Sequence, residues 1–375
     1  MSPITERDLP SGRPKDLPKD LPKDFQSELP LHPAAYELLA TFFAAGWPDP
    51  AKLHRQSGQL RNLINTAKES IAANLGILTS ELEVVGELGF GFQTAISGVL
   101  TEKNQSFCFA TVDRQIVHAF ARMHQSKGGA VTELAPDHSG IVDYETINSD
   151  AANSRCALSW QATNRETGVM QKLPDEVKYE KLFTDMTCSA SLNRLPNRWD
   201  VALWDPRSFG GPQGIALLGI SNSGSWSNPG PQIDKRRVFG SYSKPLLLAT
   251  AVALENWQIE ATKNHNHLTL LNKTARELLK VKIPKVQIAG NANDCDPRYL
   301  AFSIPGVIAE ELLRTCEAEG FLIDAGSACG GGALSPSHVL TAMGMPVDGN
   351  IRLTFKPEHS LEDVTKLIER IAAGA

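Results

Sequence analysis

The sequence predicts an α/β protein with a mainly parallel sheet covered by helices on both faces, followed by a small α+β unit at the C-terminus. Two observations carry this. Short, almost wholly apolar runs recur through the first two-thirds of the chain, as expected of strands buried on both faces. After Pro245 a long helical stretch leads into a different rhythm of shorter strands and helices.

In chain order, residues 8 to 24 come first, with prolines at 10, 14, 18 and 22 and Pro-Lys-Asp recurring at a four-residue period. Fixed φ angles and missing donors favour extended, solvated chain, so residues 1–28 are expected to be a disordered tail, with proline-motif docking as the alternative. Pro33 to Gly46 and Ala51 to Leu75 follow, where Leu53, Leu60, Leu63, Ile64, Ala67, Ile71 and Leu75 recur at three- and four-residue spacing. That period predicts two amphipathic helices. Expected strands are Glu83–Val85, Phe107–Thr111, Ala130–Leu134, Cys156–Trp160, Leu182–Met186, Val201–Trp204 and Ile215–Ile220. A helix from Leu246 to about Leu279 precedes strand Tyr299–Ile304, helix Val307–Glu319, strand Phe321–Ile323, helix Pro336–Met343, strand Ile351–Phe355 and helix Leu361–Ala373. The domain boundary is placed in the long helix, giving a large domain over 29–258 and a small one over 259–375.

The 375 residues are 42% hydrophobic and 21% charged, a composition that suits a folded globular protein. A net charge of -5, from interspersed acids and bases, leaves no footprint for nucleic acid and no polybasic membrane patch. No apolar run is long enough to span a bilayer or act as a signal peptide, so a cytoplasmic location is expected. The six cysteines lack a C-x-x-C pair and suit a reducing compartment. His265 and His267 have no further ligands nearby and read as a helix surface, with no metal site expected.

Several segments resemble the cysteine desulfurase branch of the class V aminotransferases, enzymes of the pyridoxal phosphate (PLP) fold type I. Leu53-His54-Arg55-Gln56-Ser57-Gly58 followed by Ala67 to Ala72 resembles the helix leading into that family's cofactor domain. Asn164 to Gln171 resembles its N-N-E-T-G-x-x-Q turn, and Gly211-Pro212-Gln213-Gly214 its G-P-K-G turn. Most specific are Gly326-Ser327-Ala328-Cys329, Leu334 to Leu340 and Ile351-Arg352-Leu353-Thr354, which match its G-S-A-C loop, L-x-P-S-x-V-L helix and I-R-x-S strand in order.

The resemblance implies roles for particular residues. Cys329 stands at the thiol that takes sulfur from substrate cysteine as a persulfide and passes it to an acceptor protein. Glycines 326, 330, 331 and 332 keep such a thiol mobile, the alternative being a cysteine in a surface glycine turn. Arg352 matches the arginine that grips the substrate carboxylate; otherwise it is an ordinary ion-pairing residue. Asp185 matches the carboxylate that holds the pyridine nitrogen, or simply closes a strand. Gly89 lies in the phosphate loop, where Glu87 brings an acid near a dianion, and Ser241 matches the hydroxyl that reaches a neighbour's phosphate across a two-fold dimer. Ser208 falls where the family has its cofactor lysine. Arg207 cannot replace that lysine, because a guanidinium stays protonated. Lys244 is expected in a loop approaching from a neighbouring subunit. The ring-stacking histidine is replaced by Asp113, and a glutamine by Cys188.

Two readings follow. One is a PLP-dependent desulfurase-type enzyme supplying sulfur. The other is a PLP-free paralogue acting as sulfur carrier or as partner of an active desulfurase. A homodimer, or a heterodimer with a related subunit, is expected in either case. Cys108, Cys156 and Cys316 are expected to be buried and inert, and Cys295 to be dulled by Asp294 and Asp296.

Overall fold

The computed structural model describes residues 22–102, 105–149, 155–189, 195–232, 236–325 and 336–375. The large domain is built on a seven-stranded sheet of β2 (Leu82–Val85), β3 (Ser106–Ala110), β4 (Ala130–Leu134), β5 (Ala157–Gln161), β6 (Lys181–Asp185), β7 (Val201–Trp204) and β8 (Ala216–Ile220). Their order is β2-β8-β7-β6-β5-β3-β4, and β8 alone runs antiparallel to its neighbours. The strands are apolar throughout because both faces are covered. Phe107, Phe109, Val201, Leu203, Ala216 and Leu218 pack towards α3 (Leu88–Val99) and α4 (Gln115–Ser126). The alternating residues Cys108, Ala110, Ala202, Trp204 and Leu217 join the core beneath α1 (Pro33–Ala45), α2 (Arg55–Leu75) and α5 (Lys244–Lys282). Period-two alternation thus survives inside strands that look uniformly hydrophobic. Only β4, at the sheet edge, is partly exposed. Between β5 and β8 the described connections are loops and a short 3-10 turn, not α-helices.

The 39-residue α5 serves both domains. Leu247, Leu248, Leu254 and Trp257 lie in the large core, whereas Leu268, Leu271, Ala275 and Leu279 lie in a second, smaller one. The small core is completed by an antiparallel sheet of β9 (Gln287–Ile288), β10 (Tyr299–Ser303) and β12 (Asn350–Thr354), with α6 (Ala309–Ala318) and α8 (Leu361–Ala373).

Several expectations are corrected. The predicted tail ends too late: β1 (Lys23–Asp24) pairs in parallel with β11 (Phe321–Leu322), and Phe25 is fully buried in the small core. Apolar burial and main-chain pairing outweigh the extended character of the neighbouring proline segment. The second helix begins at Arg55, so Leu53 precedes it and is 96% exposed. The helix α7 (His338–Ala342) packs Val339, Leu340 and Met343 into the large core rather than the small one. Lys244 is the first residue of α5, capped by Ser243, and not a loop residue. No helix among the described residues is long and apolar enough to cross a membrane, and none of their His, Cys, Asp and Glu side chains group as a metal site.

Candidate active-site cleft

A cleft of about 360 Å³ opens where β2, β3 and β7 end and β8 begins. This is the edge at which α/β sheets place their ligands, since strand ends release loops and helix N-termini there. Its walls carry Glu87 and Gly89 from the start of α3, Arg114 and Gln115 after β3, and Asp205, Arg207 and Gln213 between β7 and β8. A wider hollow of about 890 Å³ shares Arg207 and Gln213 and extends past Arg165 and Glu28 to Asp324. The expected thiol, Cys329, lies beyond Asp324 in residues 326–335, outside the described part of the chain.

At the start of α3, Glu87 caps the helix by accepting a hydrogen bond from Phe90 N–H at 2.9 Å. Its carboxylate occupies the end of the helix where backbone donors and the dipole favour an anion. A side chain at Gly89 would meet Glu87 Oε2 at 2.9 Å, so the glycine accommodates this internal acid.

Asp185 ends β6 almost fully buried. One carboxylate oxygen accepts from Thr187 N–H at 2.9 Å and from its hydroxyl at 2.5 Å. The other lies 3.2 Å from Arg114 Nε, and Arg114 in turn lines the cleft and donates to the Cys188 sulfur at 3.1 Å. The carboxylate expected to face a pyridine nitrogen is therefore ion-paired with a guanidinium of its own chain, while its Oδ2 makes no hydrogen bond. Burial raises the Cys188 thiol pKa, so its contact with Arg114 does not make it a ready nucleophile.

Ser208 sits in a 3-10 turn, Pro206–Phe209, started by Asp205 and closed by Gly210 at φ 73°. The serine is buried and its hydroxyl donates to the Asp205 carbonyl at 2.8 Å. Arg207 folds back onto the Asp205 carboxylate at 2.7 Å. None of the residues lining this cleft is a lysine, and Lys356 in the wider hollow is paired with Asp24 at 3.0 Å.

Arg352, on β12, hydrogen-bonds the Asp324 carboxylate and lies 3.9 Å from Glu166. The two backbones also pair, with Arg352 N–H donating to Asp324 at 2.7 Å and Asp324 N–H returning at 3.2 Å. Glu166 is brought close by the 164–171 turn, where Asn164 Oδ1 accepts from the amides of Glu166 and Thr167 and Gly168 takes φ 78°. Ser241 is exposed and is not part of the cleft wall; its carbonyl approaches Gly86 instead.

Asp113 is wholly buried, with one oxygen accepting from Ser159 at 3.0 Å and the other without a hydrogen-bond partner. Burial pushes its pKa up to about 8, against the opposing Ser159 bond, and nearby Asp185 adds to the rise. Five cysteines are described, all buried and none of them in a disulfide. Burial pushes Cys295 and Cys316 up to about 11, and for Cys295 burial outweighs the flanking aspartates as the cause. Cys156 is raised by its Cys108 neighbour and by burial.

Sequence reasoning missed Arg114 and Arg298. Arg298, at the head of the small domain, is buried against Asp296 and donates to the Ser208 carbonyl at 2.7 Å and to the Cys188 carbonyl. Neither arginine lies in a recognisable motif; the signal was a charged residue beside an apolar strand run.

The model of the aminotransferase class-V family matches residues 240–367. The cysteine desulfurase IscS of Dictyoglomus turgidum is 25% identical, over 92% of this chain and 93% of its own length. That of Clostridium botulinum is 24% identical, over 90% and 89%. Among solved structures, a NifS-like protein superposes with a TM-score of 0.83 at 18% identity, covering 94% of this chain and 99% of its own. The apo cysteine desulfurase from Thermococcus onnurineus gives a TM-score of 0.76 at 14% identity, covering 94% of each chain. These likenesses carry the fold, and with the sequence matches they lead to one conclusion: the chain is similar to cysteine desulfurases along most of its length and to the class V aminotransferase family over its C-terminal third.

Proposed function

We propose that this protein handles sulfur through Cys329 without PLP turnover, as a sulfur carrier or as the partner subunit of an active desulfurase. The observation that carries the reading is a cleft with no lysine among its described lining residues, where Glu87, Arg114, Asp205 and Arg207 are engaged by the chain's own groups. Glu87 stands at the phosphate end, Arg114 on Asp185, Asp205 on Arg207, and Asp324 on Arg352. Cofactor phosphate would meet the Glu87 carboxylate, and the Ser208 hydroxyl has no amine chemistry to offer. These residues do not fit PLP, so no reaction step is assigned to it.

What Cys329 needs is a donor persulfide. Its thiolate attacks the outer, sulfane sulfur, the donor's sulfur–sulfur bond breaks, and the donor leaves as a thiolate while Cys329 becomes the persulfide. No oxidant is consumed, because the sulfane sulfur carries its oxidation state across. Buried thiols at Cys108, Cys156, Cys188, Cys295 and Cys316 leave Cys329 as the expected acceptor. A two-fold dimer, with itself or a related active subunit, is the assembly in which we expect this transfer.

The test is mass spectrometry after incubation with a low-molecular-weight persulfide. One added sulfur atom at Cys329, reversible by thiol and absent in Cys329→Ser, is the expected result. Sulfide release from L-cysteine with added PLP, at rates typical of an enzyme, would overturn the proposal.

A further inference from the structure

The Pro-Lys-Asp repeats near the N-terminus take no part in the proposed function. Residues 1–21 lie outside the described part of the chain, but the last repeat, Pro22-Lys23-Asp24, lies within it. Both of its charges are paired on the small domain, Lys23 with Asp363 at 3.3 Å and Asp24 with Lys356 at 3.0 Å. These contacts set the root of the repeats at the rim of a third hollow. Lys356 is followed directly by Pro357 and Glu358, which line it. Phe25 stacks at 3.8 Å on His359, whose carbonyl is 2.8 Å from Nε2 of His267, another lining residue. The hollow, of about 670 Å³, lies between α5, the turn after Ser208 and the chain entering α1, and shares no residue with the cleft. Leu29, Leu31, Pro33, Phe209, Trp257 and Pro357 make its walls chiefly apolar. Glu260, Lys263 and Glu358 stand around it, all exposed and none in an ion pair among the described residues.

We infer that this hollow is the docking site of the chain's own N-terminal repeats, residues 14–21. Their sequence, Pro14-Lys15-Asp16-Leu17-Pro18-Lys19-Asp20-Leu21, alternates what the hollow takes. Leucine and proline suit walls of leucine, proline and aromatic rings, the surroundings in which stiff proline-rich segments are held at little cost in entropy. Each Lys-Asp pair supplies a cation for Glu260 or Glu358 and an anion for Lys263. The last repeat already docks in this manner, with both charges paired. Reach is sufficient, since eight residues of extended, proline-rich chain cover about 25 Å, at about 3.1 Å each. Because the repeats are tethered beside the hollow, their effective concentration is of the order of millimolar, so a contact too weak to hold a free peptide is populated within the chain.

Photo-cross-linking of the full chain, with Lys19→p-benzoylphenylalanine as the probe and peptide mass spectrometry as the readout, tests the site. A cross-link within one chain to residues 257–267, 29–33 or 357–358 is expected. It should be lost when Leu17→Asp and Leu21→Asp are added, two changes that lie in the repeats and leave both hydrophobic cores untouched. Cross-links to the neighbouring wider hollow, at Arg165 or Glu317, would move the repeats to the cleft entrance and overturn the inference. A product with the mass of two chains would assign the hollow to another copy's repeats and overturn it equally. So would a cross-link that survives both aspartate changes, or the absence of any cross-link in the otherwise unaltered chain.

Discussion

Arg298 ties the small domain to the two backbone positions on which the cleft depends. Its guanidinium is 5% exposed, its Asp296 partner 2%, and it holds the carbonyls of both Ser208 and Cys188. Arg298→Met would strand a buried carboxylate and two carbonyls, which costs about 3–5 kcal/mol, read as a lower urea midpoint. Asp113 offers a test of opposite character. Its folded pKa of about 8 lies above the ordinary 3.8, so the folded state holds a proton that the unfolded chain releases. Stability therefore falls as pH rises from about 4 to 8 and levels off above, the sign expected when the native state binds more protons. Asp113→Asn should remove that slope. Urea unfolding at pH 5 and pH 8.5, compared between wild type and variant, cancels the opposite contribution of His359, whose pKa burial lowers to about 4. Parallel pH profiles for the two proteins would refute the assignment.

Among the elements, β1 matters most for its size. Two residues pair with β11, and Phe25 stacks on His359 at 3.8 Å and meets the rings of Phe355 and Phe321. Phe25→Ala should cost about 3–5 kcal/mol by leaving a cavity in the small core, measurable by chemical denaturation. That strand was illegible in the sequence because its partner is distant in the chain and its neighbours are proline-rich. The seven strands of the large sheet were legible for the opposite reason: burial on both faces writes apolar runs such as Val201–Trp204 directly into the sequence. At the site, the serine at 208 and the acid at Glu87 could be read from motif spacing alone. The pairing of Arg114 with Asp185, and of Arg352 with Asp324, could not, since ion pairs across a fold leave no local pattern. Lys244 was misplaced because Pro245 looks like a helix breaker but serves as a first-turn residue.

For the whole molecule, the ends of β2, β3 and β7 and the start of β8 surround one cleft, in a fold shared with a NifS-like protein. Within that frame, Arg114 pairs with Asp185, Arg207 with Asp205 and Arg352 with Asp324, and Glu87 caps α3. Removing one partner of a buried pair of this kind is strongly destabilising, and on the proposed PLP-free reading a coenzyme would have to break such pairs to enter. The measurement that tests this most directly is the visible absorbance of the purified protein titrated with PLP, followed by borohydride reduction and peptide mass spectrometry. The account predicts a spectrum of free coenzyme and no pyridoxyl-lysine in the digest. A stoichiometric shifted band with one lysine reductively fixed would contradict it.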